Sequence, residues 1–200
     1  KKKGERMQLE KRMFSQIDLA DPFFDSLKAD YAEFSNWFYK KASNEAYVFT
    51  NDDGGLEAFL YLKTEVGTVK DVTPPLPPAR RIKVGTFKIN PHGTKLGERF
   101  IKKILDHAVT EEVDEIYVTV FSKHAGLVSL LQKYGFEPAA QKTTSNGTEE
   151  VLIRRMDGSG ATMITRYPFI RLENYKCYLL SIYPQYHTRM FPDSILRNES

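Results

Sequence analysis

RRIKVGTFKIN (residues 80–90), PHGTKLG (91–97) and ERFIKKILDHAVT (98–110) read in succession as a strand, a turn and an amphipathic helix. A turn that holds Gly93 and Gly97 and opens directly into a helix leaves the first backbone N–H groups without intrahelical partners. Those donors, with the positive end of the helix dipole, form a place for a phosphate. The strand also carries a slip in its parity. Ile82 and Val84 would share one face, and so would Phe87 and Ile89, yet the two pairs are out of phase across Gly85-Thr86. One extra residue in a strand produces such a slip, and glycine is the usual residue at a bulge. A bulge here would prise the strand from its parallel neighbour and offer backbone groups to an extended ligand. The plainer reading is that Gly85 relieves crowding in an ordinary strand.

The sequence continues as EEVDEIYVTVFSKHAGLVSLLQKYGFEP (111–138). Residues 116–121 form a short apolar run rich in β-branched and aromatic side chains, as in a strand covered on both faces. Two strands separated by a helix make a right-handed parallel crossover. Leu127, Leu130, Leu131 and Tyr134 then recur at helical spacing, and Gly135 is placed to cap the helix.

Working outward, residues 14–19 are expected as a first strand. DPFFDSLKADYAEFSNWFYKKA (21–42) predicts one amphipathic helix, with Asp21 as N-cap, Pro22 in the first turn, and Phe23, Leu27, Tyr31, Phe34 and Phe38 on one side. Strands at 46–50 and 56–65 are joined by NDDGG, a hairpin signal. VGTVKDVTPPLPPAR (66–80) is expected as a stiff loop outside any sheet interior, either a rigid connector beside a cleft or a polyproline ligand. The sheet is expected to end with strands at 136–142 and 151–156, turning at Asn146-Gly147.

The order strand, glycine turn, helix, strand, then a short helix closing in KYGF resembles the GCN5-related N-acetyltransferase (GNAT) superfamily. The resemblance spans residues 14–156 and is specific over 80–136. It implies an α/β fold, a GNAT-like acyl-CoA acyltransferase fold, with a mixed central sheet, a bulged strand and flanking helices. It also implies an N-acetyltransferase that uses acetyl-CoA as acyl donor and passes the acetyl group directly to an amine. On this resemblance the coenzyme is held by Phe87, Lys88 and Ile89 along its pantetheine and by His92, Gly93, Thr94, Lys95, Leu96 and Gly97 at its pyrophosphate. His124, where the family often has Asn, would face the thioester end.

The chain departs from the family pattern at three places. His92 stands where Arg or Gln is common. Lys95 stands where a glycine is common, which is tolerable if φ stays negative there. Leu131 occupies the position of the tyrosine that protonates the leaving thiolate, and Tyr134, three residues on, substitutes for it only if the helix is rotated. In that architecture the helix at 21–42 roofs the acceptor side, so Trp37, Phe38 and Tyr39 are either core or substrate contacts.

Direct transfer needs a base for the amine and a proton or stabilising donor for the thiolate. Glu65, at the end of the third strand and on one face with Lys63, is the leading base; Asp71 and Glu57 are the others. Glu65 and Tyr134 are therefore the candidate catalytic pair. The four histidines are scattered and the one cysteine has no companion, so no metal site is expected.

A hydrophobic content of 41% and an aromatic content of 12% over 200 residues indicate a packed domain, divided as a charged lead-in (1–13), the acetyltransferase-like domain (14–156) and an extension (157–200). The formal net charge of +3 is too small to announce nucleic acid. One cysteine, no membrane-length apolar run and no signal-like leader lead to an expected cytoplasmic location. The chain opens on Lys rather than Met and is expected to be trimmed or excerpted.

The extension interleaves Tyr167, Tyr175, Tyr178, Tyr183 and Tyr186 with Arg166, Arg171, Lys176, His187 and Arg189. It is read either as a segment packed on the core or as a nucleic-acid contact. The competing functional reading is a catalytically impaired coenzyme- or nucleic-acid-binding module. The acceptor is left open among small amines, protein lysines, N-termini and nucleobases.

Overall fold

The computed structural model describes residues 9–90 and 95–156. The turn residues His92, Gly93 and Thr94, and the tyrosine-rich extension, lie outside the described residues. Seven strands form one mixed sheet: β1 (Leu9–Met13), β2 (Glu45–Thr50), β3 (Leu56–Val69), β4 (Leu76–Ile89), β5 (Glu115–Val120), β6 (Glu137–Thr144) and β7 (Gly147–Arg155). Their spatial order is β1-β2-β3-β4-β5-β7-β6. Only β4 and β5 run parallel, joined by helix α3 (Leu96–Thr110). The remaining helices are α1 (Asp25–Asp30), α2 (Phe34–Tyr39) and α4 (Ala125–Lys133).

The bulge lies where the parity slips. Tyr61 pairs with Thr86 and Leu62 with Val84, so Gly85 is the extra residue. This insertion returns Ile82, Val84, Phe87 and Ile89 to one face, where all four pack in the core beneath α3. Crowding operates as well: a Cβ on Gly85 would lie 2.7 Å from Tyr61 Cδ1. Both readings of Gly85 therefore hold at once.

The sheet divides two cores. On one face α3 buries Leu96, Phe100, Ile101, Ile104, Leu105, Ala108 and Val109 against β4 and β5. These side chains recur at helical spacing, and each fully buried large one contributes about 1.5–3 kcal/mol. On the other face Phe14, Phe24, Phe38 and Phe59 form an aromatic cluster with ring centroids 4.8–6.1 Å apart. The short helix α4 closes with a Schellman motif. Phe136 N–H donates to Leu131 O at 3.1 Å, Gly135 N–H to Gln132 O at 3.0 Å, and Gly135 takes φ +84°.

Three expectations over local structure are corrected. The first strand is Leu9–Met13, in the segment expected as lead-in, and residues 14–16 form a 3-10 turn. The single helix at 21–42 is instead a 3-10 turn (Pro22–Phe24) followed by α1 and α2. Asp21 caps as expected, its Oδ1 accepting from Phe23 N–H at 2.8 Å. The break falls at Tyr31, which is extended (φ −133°, ψ 102°). Its hydroxyl donates to Glu149 at 2.7 Å and its ring lies against Phe121, a pull from outside the helix.

The proline-rich loop is shorter than expected, because β4 begins at Leu76. Pro77 and Pro78 are accommodated because β5 pairs with β4 only from Arg81 onward, leaving the prolines on a one-sided edge. Arg81, 1% exposed, secures that edge by donating to Glu115 Oε1 at 2.6 Å, to Gly67 O at 2.7 Å and to Pro77 O. No helix among the described residues is long and apolar enough to cross a membrane.

Candidate functional site

The ladder between β4 and β5 stops at Val84 and Val118. Beyond it, residues 86–89 pair with β3, while Thr119 and Val120 pair with β7. The two parallel strands therefore diverge, and the facing edge of β4 from Gly85 to Ile89 is left to a ligand. Phe87 and Ile89 send their side chains under α3, where the Phe87 ring stacks on Phe100 at 6.0 Å. Lys88 points to the opposite face. Its Nζ donates to Ser26 Oγ at 2.6 Å and to Phe23 O. Burial lowers its pKa, against the pull of Asp25, Asp30 and Asp21. Only the backbone of Lys88 is thus turned toward the divergence.

At the α3 N-terminus Lys95 is the N-cap residue and no side-chain cap is present. Its φ is −76°, so a non-glycine residue sits there without strain. Leu96 is buried in the core, leaving its backbone alone for a ligand. Gly97 faces α4: a Cβ would meet Leu130 Cδ2 at 2.8 Å. The sequence assigned this glycine to phosphate binding, and close packing against Leu130 of α4 favours a small residue there as well.

On the opposite face of the same strands lies a cavity of about 350 Å³. Val84–Phe87 of β4 and Val118–Val120 of β5 form its lips, α1 and α2 roof it through Leu27, Tyr31 and Trp37, and β6 and β7 wall it through Lys142 and Glu149. Glu65 is on its floor. Its Oε2 accepts from the Tyr117 hydroxyl at 2.6 Å and its Oε1 from Lys63 Nζ at 2.9 Å. Burial pushes the Glu65 pKa up, but the hydrogen bonds from Tyr117 and Lys63 and the nearby Lys83 outweigh it and hold it below 4.5. Tyr117 is shifted strongly upward, by burial first and then by donating to Glu65. Tyr31 is shifted upward in the same way by burial and Glu149. Both phenols are therefore fixed as donors at neutral pH.

His124 lines the cavity as the N-cap residue of α4, with Nε2 3.1 Å from Asp30 Oδ2. Burial opposes the charge on Asp30, yet Lys123 and His124 lower its pKa. The structure thus brings Glu65, Phe87 and His124 to one cavity. It does not bring Tyr134 there. Tyr134 caps the other end of α4, its ring is 9% exposed, and it bonds to Glu98 on α3. Leu131 is fully buried, so neither α4 position supplies a phenol at the cavity. Tyr31 and Lys83, which line the cavity, and Tyr117, buried behind it and bonded to Glu65, are the groups that sequence reasoning missed. The signal for Tyr117 and Lys83 was parity: strand partners in register, both opposite in facing to Ile82, Val84 and Val118.

A mixed sheet in which two parallel strands part at a bulge, beside a helix N-terminus, is the architecture of the GNAT superfamily. The chain adopts that fold. Ard1 from Thermoplasma volcanium superposes with a TM-score of 0.55 at 12% identity, over 74% of this chain and 96% of that one. Naa20 from Chaetomium thermophilum, solved with a bisubstrate analogue, gives 0.54 at 14% identity, over 84% and 94%. A GNAT family acetyltransferase from Elizabethkingia anophelis, with acetyl-CoA bound, gives 0.52 at 11% identity, over 74% and 97%. Neither a family model nor a curated protein matches the sequence.

Proposed function

We propose that the protein is an acetyl-CoA-dependent N-acetyltransferase working by direct transfer within a ternary complex. The observation that carries this reading is the divergence of β4 from β5 at Gly85, with a helix N-terminus on one side and a polar cavity on the other. Solved relatives in fold include a protein with acetyl-CoA bound and one with a bisubstrate analogue. The pantetheine would pair with the backbone of Phe87–Ile89, and the pyrophosphate would meet the backbone donors of Lys95–Gly97.

The acceptor amine would enter from the cavity and attack the thioester carbonyl carbon. A carbon–nitrogen bond forms, the carbon–sulfur bond breaks, and coenzyme A leaves as the thiolate. One amine proton passes to Glu65, which is ionised and ready to accept it, and the thiolate takes its proton from solvent. Tyr117 and Lys63 orient the Glu65 carboxylate through their hydrogen bonds.

A second reading, coenzyme binding without turnover, is favoured by one observation: Leu131 lies buried where the family's acid stands. Calorimetric titration with acetyl-CoA, beside a Gly97→Glu variant and a thiol-release assay over a panel of amines, separates the two. Micromolar binding lost in the folded variant, with thiol release, supports transfer. Binding without thiol release for any amine selects the second reading, and no binding by folded protein overturns both.

A further inference from the structure

The cavity's charges are not balanced. Its carboxylates are already served: Glu65 by Tyr117 and Lys63, Glu149 by Tyr31, and Glu33 by Asn146 at 2.9 and 3.0 Å. Lys142 is taken by Asp71 at 2.7 Å. Lys83 is different. It stands on β4 immediately before the divergence, mostly buried, with Nζ 5.6 Å from the centre of the Tyr117 ring. Among the described residues no carboxylate lies within ion-pair distance of it.

From this we infer that the acceptor is a small amine that also carries an anion, a carboxylate or a phosphate, which Lys83 receives. The inference rests on the cavity being the acceptor site. A buried ammonium is costly until an anion joins it, so an anionic ligand gains what the empty site lacks. A neutral amine gains nothing from Lys83 and, once protonated, is repelled by it together with Lys63 and Lys142. The volume suits a small molecule, with the amine directed at Glu65 and the anion at Lys83.

The groups around Lys83 are Lys63 and Glu65 on β3, Tyr117 on β5, Asp71 on the loop before β4 and Lys142 on β6. Burial, then Lys142, lowers the Lys83 pKa from 10.5, while Glu65 and Asp71 oppose that shift. A bound anion stabilises the ammonium and reverses it. Affinity for the anion therefore falls as pH rises through the titration of Lys83.

Trp37 lines the cavity and is the chain's single tryptophan, so its fluorescence reports occupancy without turnover. The full chain is titrated with β-alanine against β-alaninamide, and with phosphoethanolamine against ethanolamine. We expect at least one anionic member to bind about tenfold tighter than its neutral partner, a margin that one desolvated ion pair supplies. The tighter of the two anions identifies the group. Lys83→Met should erase the preference, Lys83→Arg should keep it, and raising pH should weaken it in the native chain alone. Equal binding within both pairs, or a preference intact in Lys83→Met, overturns the inference. Thiol release from acetyl-CoA with neutral amines and no advantage for anions sinks this inference and spares the transferase reading. Anion-selective quenching without thiol release keeps the anion site at Lys83 and sinks the transferase reading, and the acceptor role with it.

Discussion

Under α3 the central strands present Ile82, Val84, Ile116 and Val118, all nearly inaccessible and all apolar. On the opposite face β3, β4 and β5 present Glu65, Arg81, Lys83 and Tyr117: Tyr117 bonds to Glu65, Arg81 pairs with Glu115, and Lys83 lies over the Tyr117 ring. One alternation of residues thus builds two surfaces, a packing face that fixes the strands and a polar face that holds the cavity. The apolar face is stabilised by area and tolerates exchange among similar volumes. The polar face depends on individual atoms, because a lost partner leaves a desolvated group behind. Substitutions on the two faces should therefore fail differently.

The largest effect is expected on the polar face. Glu65→Gln keeps the shape of the side chain and removes the proton acceptor, so turnover should fall by about 100-fold or more while acetyl-CoA affinity holds. Steady-state kinetics beside calorimetry reads both. The pH profile sharpens the point. Because the Glu65 pKa is lowered, the carboxylate stays ionised through neutrality, and the acid limb of turnover should lie below pH 4.5. A full-rate Glu65→Gln enzyme would remove Glu65 from the chemistry and leave it a structural partner of Tyr117.

Gly85 tests the bulge itself, on the cavity side of the sheet. Gly85→Val places a branched side chain 2.7 Å from the Tyr61 ring, and such overpacking costs about 1–3 kcal/mol. Thermal unfolding should report a midpoint several degrees lower, with coenzyme binding weakened in parallel because β4 can no longer bulge. Unchanged stability would mean that Tyr61 moves freely and that the bulge has another cause.

The same contrast explains what was legible in the sequence. The bulge at Gly85, the crossover through α3 and the Gly135 cap follow from rules acting over a few residues, and the chain spells them out. Tyr31 was misread as mid-helix because the group that extends it, Glu149, is 118 residues away. Pro77 and Pro78 were excluded from the sheet because the rule against proline concerns strands paired on both sides, and where β5 ends is a tertiary fact. Glu65 was picked out by its place at the end of an expected strand, on one face with Lys63, and the structure sets it in the cavity lining. Tyr117 was absorbed into an apolar run, although its hydroxyl makes a 2.6 Å contact that, with Lys63 and Lys83, lowers the Glu65 pKa.

A smaller effect is expected at the mouth of the coenzyme slot. Lys95 is exposed at the N-terminus of α3, where it adds positive charge to the helix dipole. Lys95→Glu reverses that charge without touching the core. Acetyl-CoA affinity should drop by about tenfold, or about 1.4 kcal/mol, and the loss should shrink in high salt. An unaltered affinity would place the pyrophosphate away from this helix.

The smallest effect separates likeness to a family from position in this molecule. Tyr134 was the candidate acid, yet its hydroxyl is engaged with Glu98, which Lys133 also holds at 2.7 Å. Those contacts tie α4 to the first turn of α3, where a carboxylate is favoured by the dipole. Tyr134→Phe should therefore leave turnover within about twofold and cost about 1 kcal/mol of stability, the ordinary worth of a hydrogen bond to a charged group on a partly wet surface. Chemical denaturation and kinetics on one preparation decide it. A large loss of turnover would mean that α4 turns in the ternary complex and brings the phenol to the thiolate, and the contrast between the two faces would then hold only for the free protein.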